Sequence, residues 1–105
     1  MKDLKNKKVL ITGGARGIGR QIALEFAKHG ADIIICDSDE SFFNENEFRE
    51  NIKEIEDTGV SCYGFYLDVT KYEDIVQERR SILDLVGKID VLVNNAGVVF
   101  GGNFL

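Results

Sequence analysis

The chain has 105 residues, 44% of them hydrophobic and 30% charged, with a net charge of −5; this suits one small soluble domain, 1–105, and argues against a nucleic-acid or anionic-membrane surface. No apolar run approaches the roughly 18 residues of a membrane span, and the run that follows the basic N-terminus stops at Ile11, too short for a signal-peptide core, so the expected compartment is the cytoplasm. Cys36 and Cys62 lack C-x-x-C spacing and the single His29 cannot complete a metal cluster with them, so no metal site is expected and both thiols read as small buried hydrophobes.

In chain order, Val9 to Ile11 is a short apolar run that breaks into Thr12, Gly13, Gly14, Ala15, Arg16, Gly17, Ile18 and Gly19. This reads as a buried strand, a tight turn and a helix N-terminus. Glycines permit positive φ and leave no Cβ between backbone and ligand, and the helix start supplies N–H groups and positive dipole, so the turn suits a phosphate. The spacing Gly13-x-x-x-Gly17-x-Gly19 differs from the commonest dinucleotide fingerprint and lacks the Gly-Lys-Ser/Thr ending of a mononucleotide loop. Taken alone, it is also compatible with a plain structural turn.

Ile18, Ile22, Ala23, Phe26 and Ala27 then recur at helical spacing, with His29 in the last turn and Gly30 as the closing residue. Ala31 to Cys36 is a continuous apolar strand of the kind covered on both faces, ending on Asp37. Residues 38–47 are polar apart from Phe42 and Phe43; Asn44 with Glu47 resembles a capping box ahead of a helix carrying Phe48, Ile52 and Ile55 and ended by Gly59. Val60 to Leu67 reads as a third strand leading to Asp68 and Val69. Thr70 with Glu73 forms a second capping box, opening a helix with Ile75, Val76, Ile82, Leu83 and Val86 on one face and Gly87 at its end. Ile89 to Val93 is a fourth strand, followed by Asn94, Asn95, Ala96, Gly97 and an apolar tail, Val98 to Leu105.

Strands alternating with helices over short connections predict right-handed crossovers and an α/β fold: a four-stranded parallel sheet in the order 3-2-1-4 with about three helices, close to half of a doubly wound nucleotide-binding fold. Ligands in such folds lie beyond the carboxyl ends of the strands. Every strand here ends on something polar or small. Asp37 follows Gly19 by 18 residues, near the distance at which an acidic residue meets an adenosine ribose. A carboxylate there accepts from ribose hydroxyls and repels a 2′-phosphate, favouring NAD over NADP, whereas Arg16 in the turn could pair with that phosphate. Asp37 can also serve simply as a helix-end carboxylate. Asp68 and Val69 suit an adenine, as acceptor and apolar face, while Asp68 is equally a turn residue. The amides of Asn94 and Asn95 can tie neighbouring loops together or touch a ribose.

Thr12-Gly13-Gly14-Ala15-Arg16-Gly17-Ile18-Gly19, Asp37, Asp68-Val69-Thr70 and Asn94-Asn95-Ala96-Gly97 together resemble the short-chain dehydrogenase/reductase pattern, over about Lys5 to Leu105. The resemblance implies a Rossmann-like fold and NAD(P)-dependent oxidation of alcohols or reduction of carbonyls. It gives the glycine turn and Ile18 the pyrophosphate side, Asp37 the ribose, Asp68 and Val69 the adenine, and Asn95 with Ala96 and Gly97 the cofactor nearer the nicotinamide.

Members of the family run to about twice this length, as the resemblance implies, and use a Tyr-x-x-x-Lys pair for general acid–base work. The residues four beyond Tyr63, Tyr66 and Tyr72 are Leu67, Thr70 and Val76, so no such pair exists and no catalytic residue is assigned. The expectation is the cofactor-binding half of a short-chain oxidoreductase, truncated relative to the family and inactive or nearly so alone. The alternatives are a non-catalytic dinucleotide-binding module and an interaction remnant; an adenosylmethionine-dependent methyltransferase fits the glycine spacing less well. The hydrophobic edge of the fourth strand or the apolar tail is expected to drive self-association.

Overall fold

The computed structural model describes residues 3–14, 17–38, 46–68 and 71–95. The elements in chain order are β1 (Lys8–Thr12), α1 (Gly17–Lys28), β2 (Asp32–Asp37), α2 (Asn46–Glu56), β3 (Cys62–Tyr66), α3 (Tyr72–Val86) and β4 (Val91–Asn94). All strand pairs are parallel, in the order β3-β2-β1-β4, as the sequence predicts. Each expected strand and helix is present, with boundaries moved by one to a few residues.

The apolar runs of β1 and β2 are explained by cover on both faces. Side chains alternate across a strand, so Val9, Ile11, Ile33 and Ile35 join Ala23 and Ala27 of α1 and Phe48 and Ile55 of α2 in one cluster. Leu10, Ile34 and Cys36 point the other way, to Leu67 just after β3 and Ile82 of α3. The strand residues in both clusters are almost wholly buried. At roughly 1.5–3 kcal/mol for each large aliphatic side chain removed from water, these central strands carry most of the favourable burial. β3, at the sheet edge, instead follows a buried Cys62 with alternating half-buried and exposed positions. Both thiols are buried, as expected; burial pushes the Cys36 thiol up and that of Cys62 up to about 12, so neither is a nucleophile at neutral pH.

The three helix-ending glycines foreseen in the sequence all act as stops. Gly30, Gly59 and Gly87 all take positive φ, and the Gly87 N–H donates to the Leu83 carbonyl at the end of α3. At the start of α3 the N-cap is Lys71, which makes no side-chain cap hydrogen bond; Thr70, expected there, lies outside the described residues, as do Asn44 and the tail. Val76, expected on the buried face of α3, is 51% exposed. It lies six positions before Ile82 and so falls well off the stripe that Ile82 and Val86 turn toward the sheet.

At the amino ends of the strands one carboxylate joins three of them. Asp32 of β2 pairs with the Lys8 ammonium of β1 and accepts from the Ser61 N–H just before β3, at 2.9 Å. Burial alone would raise its pKa, but Lys8 and Ser61 outweigh that and hold the carboxyl below the ordinary range. Asp90 accepts from the Lys8 N–H at 2.8 Å, fixing the entry to β4. With this end tied, the opposite end is left for the connecting loops.

Candidate functional site

At the carboxyl end of the sheet, β1 runs into the glycine turn and the turn remains stitched to both neighbouring strands. Gly13 takes φ 66° and its N–H donates to the Cys36 carbonyl of β2, at 2.7 Å. On the other side, Asn95 Nδ2 donates to the Gly13 carbonyl at 3.2 Å. Thr12, 1% exposed, places its hydroxyl 3.1 Å from Asn94 Oδ1, to which it donates, and 3.4 Å from the Val93 carbonyl. Of the two uses open to the paired asparagines, tying loops together is thus realised by both.

The described glycines of the turn do different work. A Cβ on Gly19 would meet the Gly13 carbonyl oxygen at 2.2 Å and Asn95 Nδ2 at 2.7 Å, so the first turn of α1 crosses the glycine turn at a distance only glycine allows. A Cβ on Gly14 would meet Ile35 Cγ2 at 3.1 Å and the Ile11 carbonyl oxygen at 3.2 Å. At Gly19 this is a packing requirement, and at Gly14 a Cβ would be a tight fit. Gly17 differs: it takes φ +63°, and a Cβ there would meet nothing within 4 Å. Space therefore opens directly before the helix, where the first-turn N–H groups have no carbonyl partner within α1. Ile18 beside it is 73% exposed, an apolar side chain held out at the rim of the same opening.

The carboxyl ends of β2 and β3 bring two acidic residues to this side. Asp37 is the last residue of β2, in register with Tyr66, and its carbonyl accepts from the Leu67 N–H at 2.9 Å. Asp68 follows β3, half-buried, its carbonyl accepting from the Lys71 N–H at 3.0 Å. Parallel strands put Gly13, Asp37, Asp68 and Asn95 at one edge of the sheet, so a single extended ligand can run from a phosphate at α1 to hydroxyl or amino donors at the carboxylates. The cradle, its open space and two acceptors fit a dinucleotide. Ala15, Arg16, Val69, Ala96 and Gly97, also expected at the site, lie outside the described residues. Among the described residues no group of three or more His, Cys, Asp or Glu could hold a metal ion.

One set of contacts has no counterpart in the sequence reading. Arg20, directly after Gly19, reaches α2 and donates to Asn51 Oδ1 at 2.7 Å and Glu54 Oε2 at 2.9 Å. Nothing in one-dimensional spacing signals it, because the partners lie more than thirty residues on and the pattern of α2 marks only its apolar stripe.

Comparison with known proteins agrees with this fold. The family model described as short chain dehydrogenase matches residues 7–105. The human protein named Short-chain dehydrogenase/reductase 3 is 41% identical over all 105 residues, which cover 33% of its own length. The crystal structure of NAD+-bound xylitol dehydrogenase superposes with a TM-score of 0.76 at 27% identity, over 87% of this chain and 33% of that one. A metagenomic short-chain oxidoreductase in complex with NADP gives 0.78 at 30% identity, over 90% of this chain and 41% of that one. The chain thus spans about a third of the length of the curated relatives it matches. No helix among the described residues is long and apolar enough to cross a membrane.

Proposed function

The chain belongs to the short chain dehydrogenase family, and on that footing we propose that it is the nicotinamide-dinucleotide-binding portion of an oxidoreductase acting on an alcohol or carbonyl. The observation that carries this reading is the opening at Gly17, a space before a helix N-terminus that a single Cβ would enter. The pyrophosphate lies there, against the backbone of Gly13, Gly14, Ala15, Arg16, Gly17, Ile18 and Gly19. Asp37 accepts from the adenosine ribose hydroxyls, and Asp68 with Val69 holds the adenine. Asn95, whose amide steadies the Gly13 carbonyl, keeps the β4 end in place for the nicotinamide half, with Ala96 and Gly97. When bound, the cofactor supplies hydride transfer.

NAD is the preferred form. Asp37 and Asp68 make the adenosine end acidic, and a 2′-phosphate there meets like charge at close range. No Tyr-x-x-x-Lys pair is present in the sequence to move the accompanying proton; the chain itself binds and orients, and contributes no catalytic residue. Titration with NAD by calorimetry tests the reading: saturable binding with one site supports it, and no heat at millimolar NAD overturns it.

A second reading is a dinucleotide-binding module without chemistry of its own. An in-frame Tyr-x-x-x-Lys in the coding sequence after codon 105 decides against it. Under either reading, self-association runs through β4 or the apolar tail. Among the described residues β4 pairs with β1 alone, which leaves Val91, Leu92 and Val93 half-buried beside an open edge.

A further inference from the structure

Arg20 stands in the first turn of α1, where a positive side chain opposes the helix dipole. Its guanidinium is carried away from that end to the neighbouring helix. One planar fork serves two acceptors three residues apart on α2, Nε donating to Asn51 Oδ1 at 2.7 Å and Nη2 to Glu54 Oε2 at 2.9 Å. Asn51, only 7% exposed, is one of two buried polar side chains among the described residues, with Thr12 the other. Ala23 and Ala27 of α1 share an apolar cluster with Phe48 and Ile55 of α2, and such packing is not directional. At the far end, Thr58 reaches only weakly toward the Ala27 carbonyl, at 3.4 Å. Arg20 is therefore a directional contact that holds the amino end of α1 against α2.

The two helices carry different parts of the site. α1 begins with the glycine turn, whereas α2 is the crossover between β2 and β3, the strands that bring Asp37 and Asp68. We propose that Arg20 is a positioning residue for the dinucleotide: through Asn51 and Glu54 it holds the phosphate-binding turn at the spacing from Asp37 and Asp68 that an adenosine diphosphate spans. It touches no ligand atom. The inference rests on the dinucleotide reading above and adds the device that aligns its two halves.

Alignment predicts an effect that depends on ligand length. Adenosine touches only the carboxylate side, whereas ADP-ribose must reach both sides at once. Arg20→Met and Arg20→Lys are compared with the wild-type chain by ligand-observed NMR for adenosine and calorimetry for ADP-ribose, well below each variant's melting temperature. Both variants should bind ADP-ribose roughly five- to tenfold more weakly with adenosine changed less than about twofold, because a preorganised spacing is lost and a lysine ammonium cannot serve both acceptors as the fork does. Glu54→Gln, which keeps a weaker arm at an exposed position, should give about a third of that effect on the same scale. Equal losses for both ligands overturn the proposal, since they mark a smaller folded fraction; so does wild-type affinity in Arg20→Lys, which marks simple charge attraction. A wild-type chain that binds neither ligand overturns the dinucleotide reading itself.

Discussion

Replacing Gly19 by alanine sets two effects against each other in one residue. Gly19 lies inside α1, so alanine gains about 1 kcal/mol of helix propensity. Against this, the new methyl would stand 2.2 Å from the Gly13 carbonyl oxygen and 2.7 Å from Asn95 Nδ2, both on backbone or tied side chains. Relief requires α1 to move off the turn, at about 1–3 kcal/mol for overpacking, and it breaks the Asn95 to Gly13 hydrogen bond, worth about 1 kcal/mol. The clash wins: Gly19→Ala should lose about 1–3 kcal/mol, a fall in melting temperature of roughly 5–20 °C for a chain this size. Gly17 is the control, with φ +63° and nothing within 4 Å. Asparagine tolerates that backbone region at little cost, so Gly17→Asn should melt within about 1 kcal/mol of wild type yet fill the space assigned to the pyrophosphate. Thermal melts with and without NAD read both effects: at 100 times the dissociation constant, ligand stabilises wild type by about 2.7 kcal/mol, and Gly17→Asn should show none of it. A Gly19→Ala chain as stable as wild type, or a Gly17→Asn chain still stabilised by NAD, refutes this division of labour.

Cofactor preference should invert at one residue: Asp37→Arg replaces repulsion by attraction at the ribose, so competition titrations should move from NAD toward NADP, and tighter NADP binding by the unmutated chain would sink the assignment. Asp32, whose carboxyl is held below its ordinary range by Lys8 and Ser61 despite burial, stabilises the fold above the unfolded pKa of about 3.9 and loses that contribution as pH falls through its folded value. Urea melts between pH 6 and pH 3 should therefore show a steeper loss for wild type than for Asp32→Asn, with equal slopes as the contrary result. For the β4 edge, sedimentation over micromolar concentrations should show reversible association, which Val93→Lys reduces by placing a charge on that strand; a concentration-independent monomer argues against it.

The sheet was legible because its requirements are local. A run such as Ile33-Ile34-Ile35-Cys36 has no polar face, so the only fold that accepts it covers both sides, and α1 and α2 on one side with α3 on the other do so. The glycine stops were legible for a similar reason, since Gly30, Gly59 and Gly87 each relieve a backbone conformation that other residues resist. Val76 and the N-cap of α3 were less so. A few apolar residues mark a helical face without fixing its edges, and a boundary depends on which residue first leaves extended backbone, which at Lys71 follows no side-chain cap.

For the site, residue types announced the chemistry but not the mechanics. Asp37 and Asp68 could be placed by topology, because a parallel sheet delivers every strand's carboxyl end to one edge. The glycines, identical in sequence, divide only in three dimensions: Gly19 is glycine because protein fills the place of its Cβ, Gly14 sits where a Cβ would be tight, and Gly17 turns left-handed toward open space. Likewise Asn95 reads in sequence as either a tie or a ligand contact, and only the fold puts its amide on the Gly13 carbonyl. A motif that reads as one phosphate cradle is thus two structures superposed. One is a seam that locks β1, α1 and β4 together, and the other is the open space at Gly17, where the proposed pyrophosphate would enter.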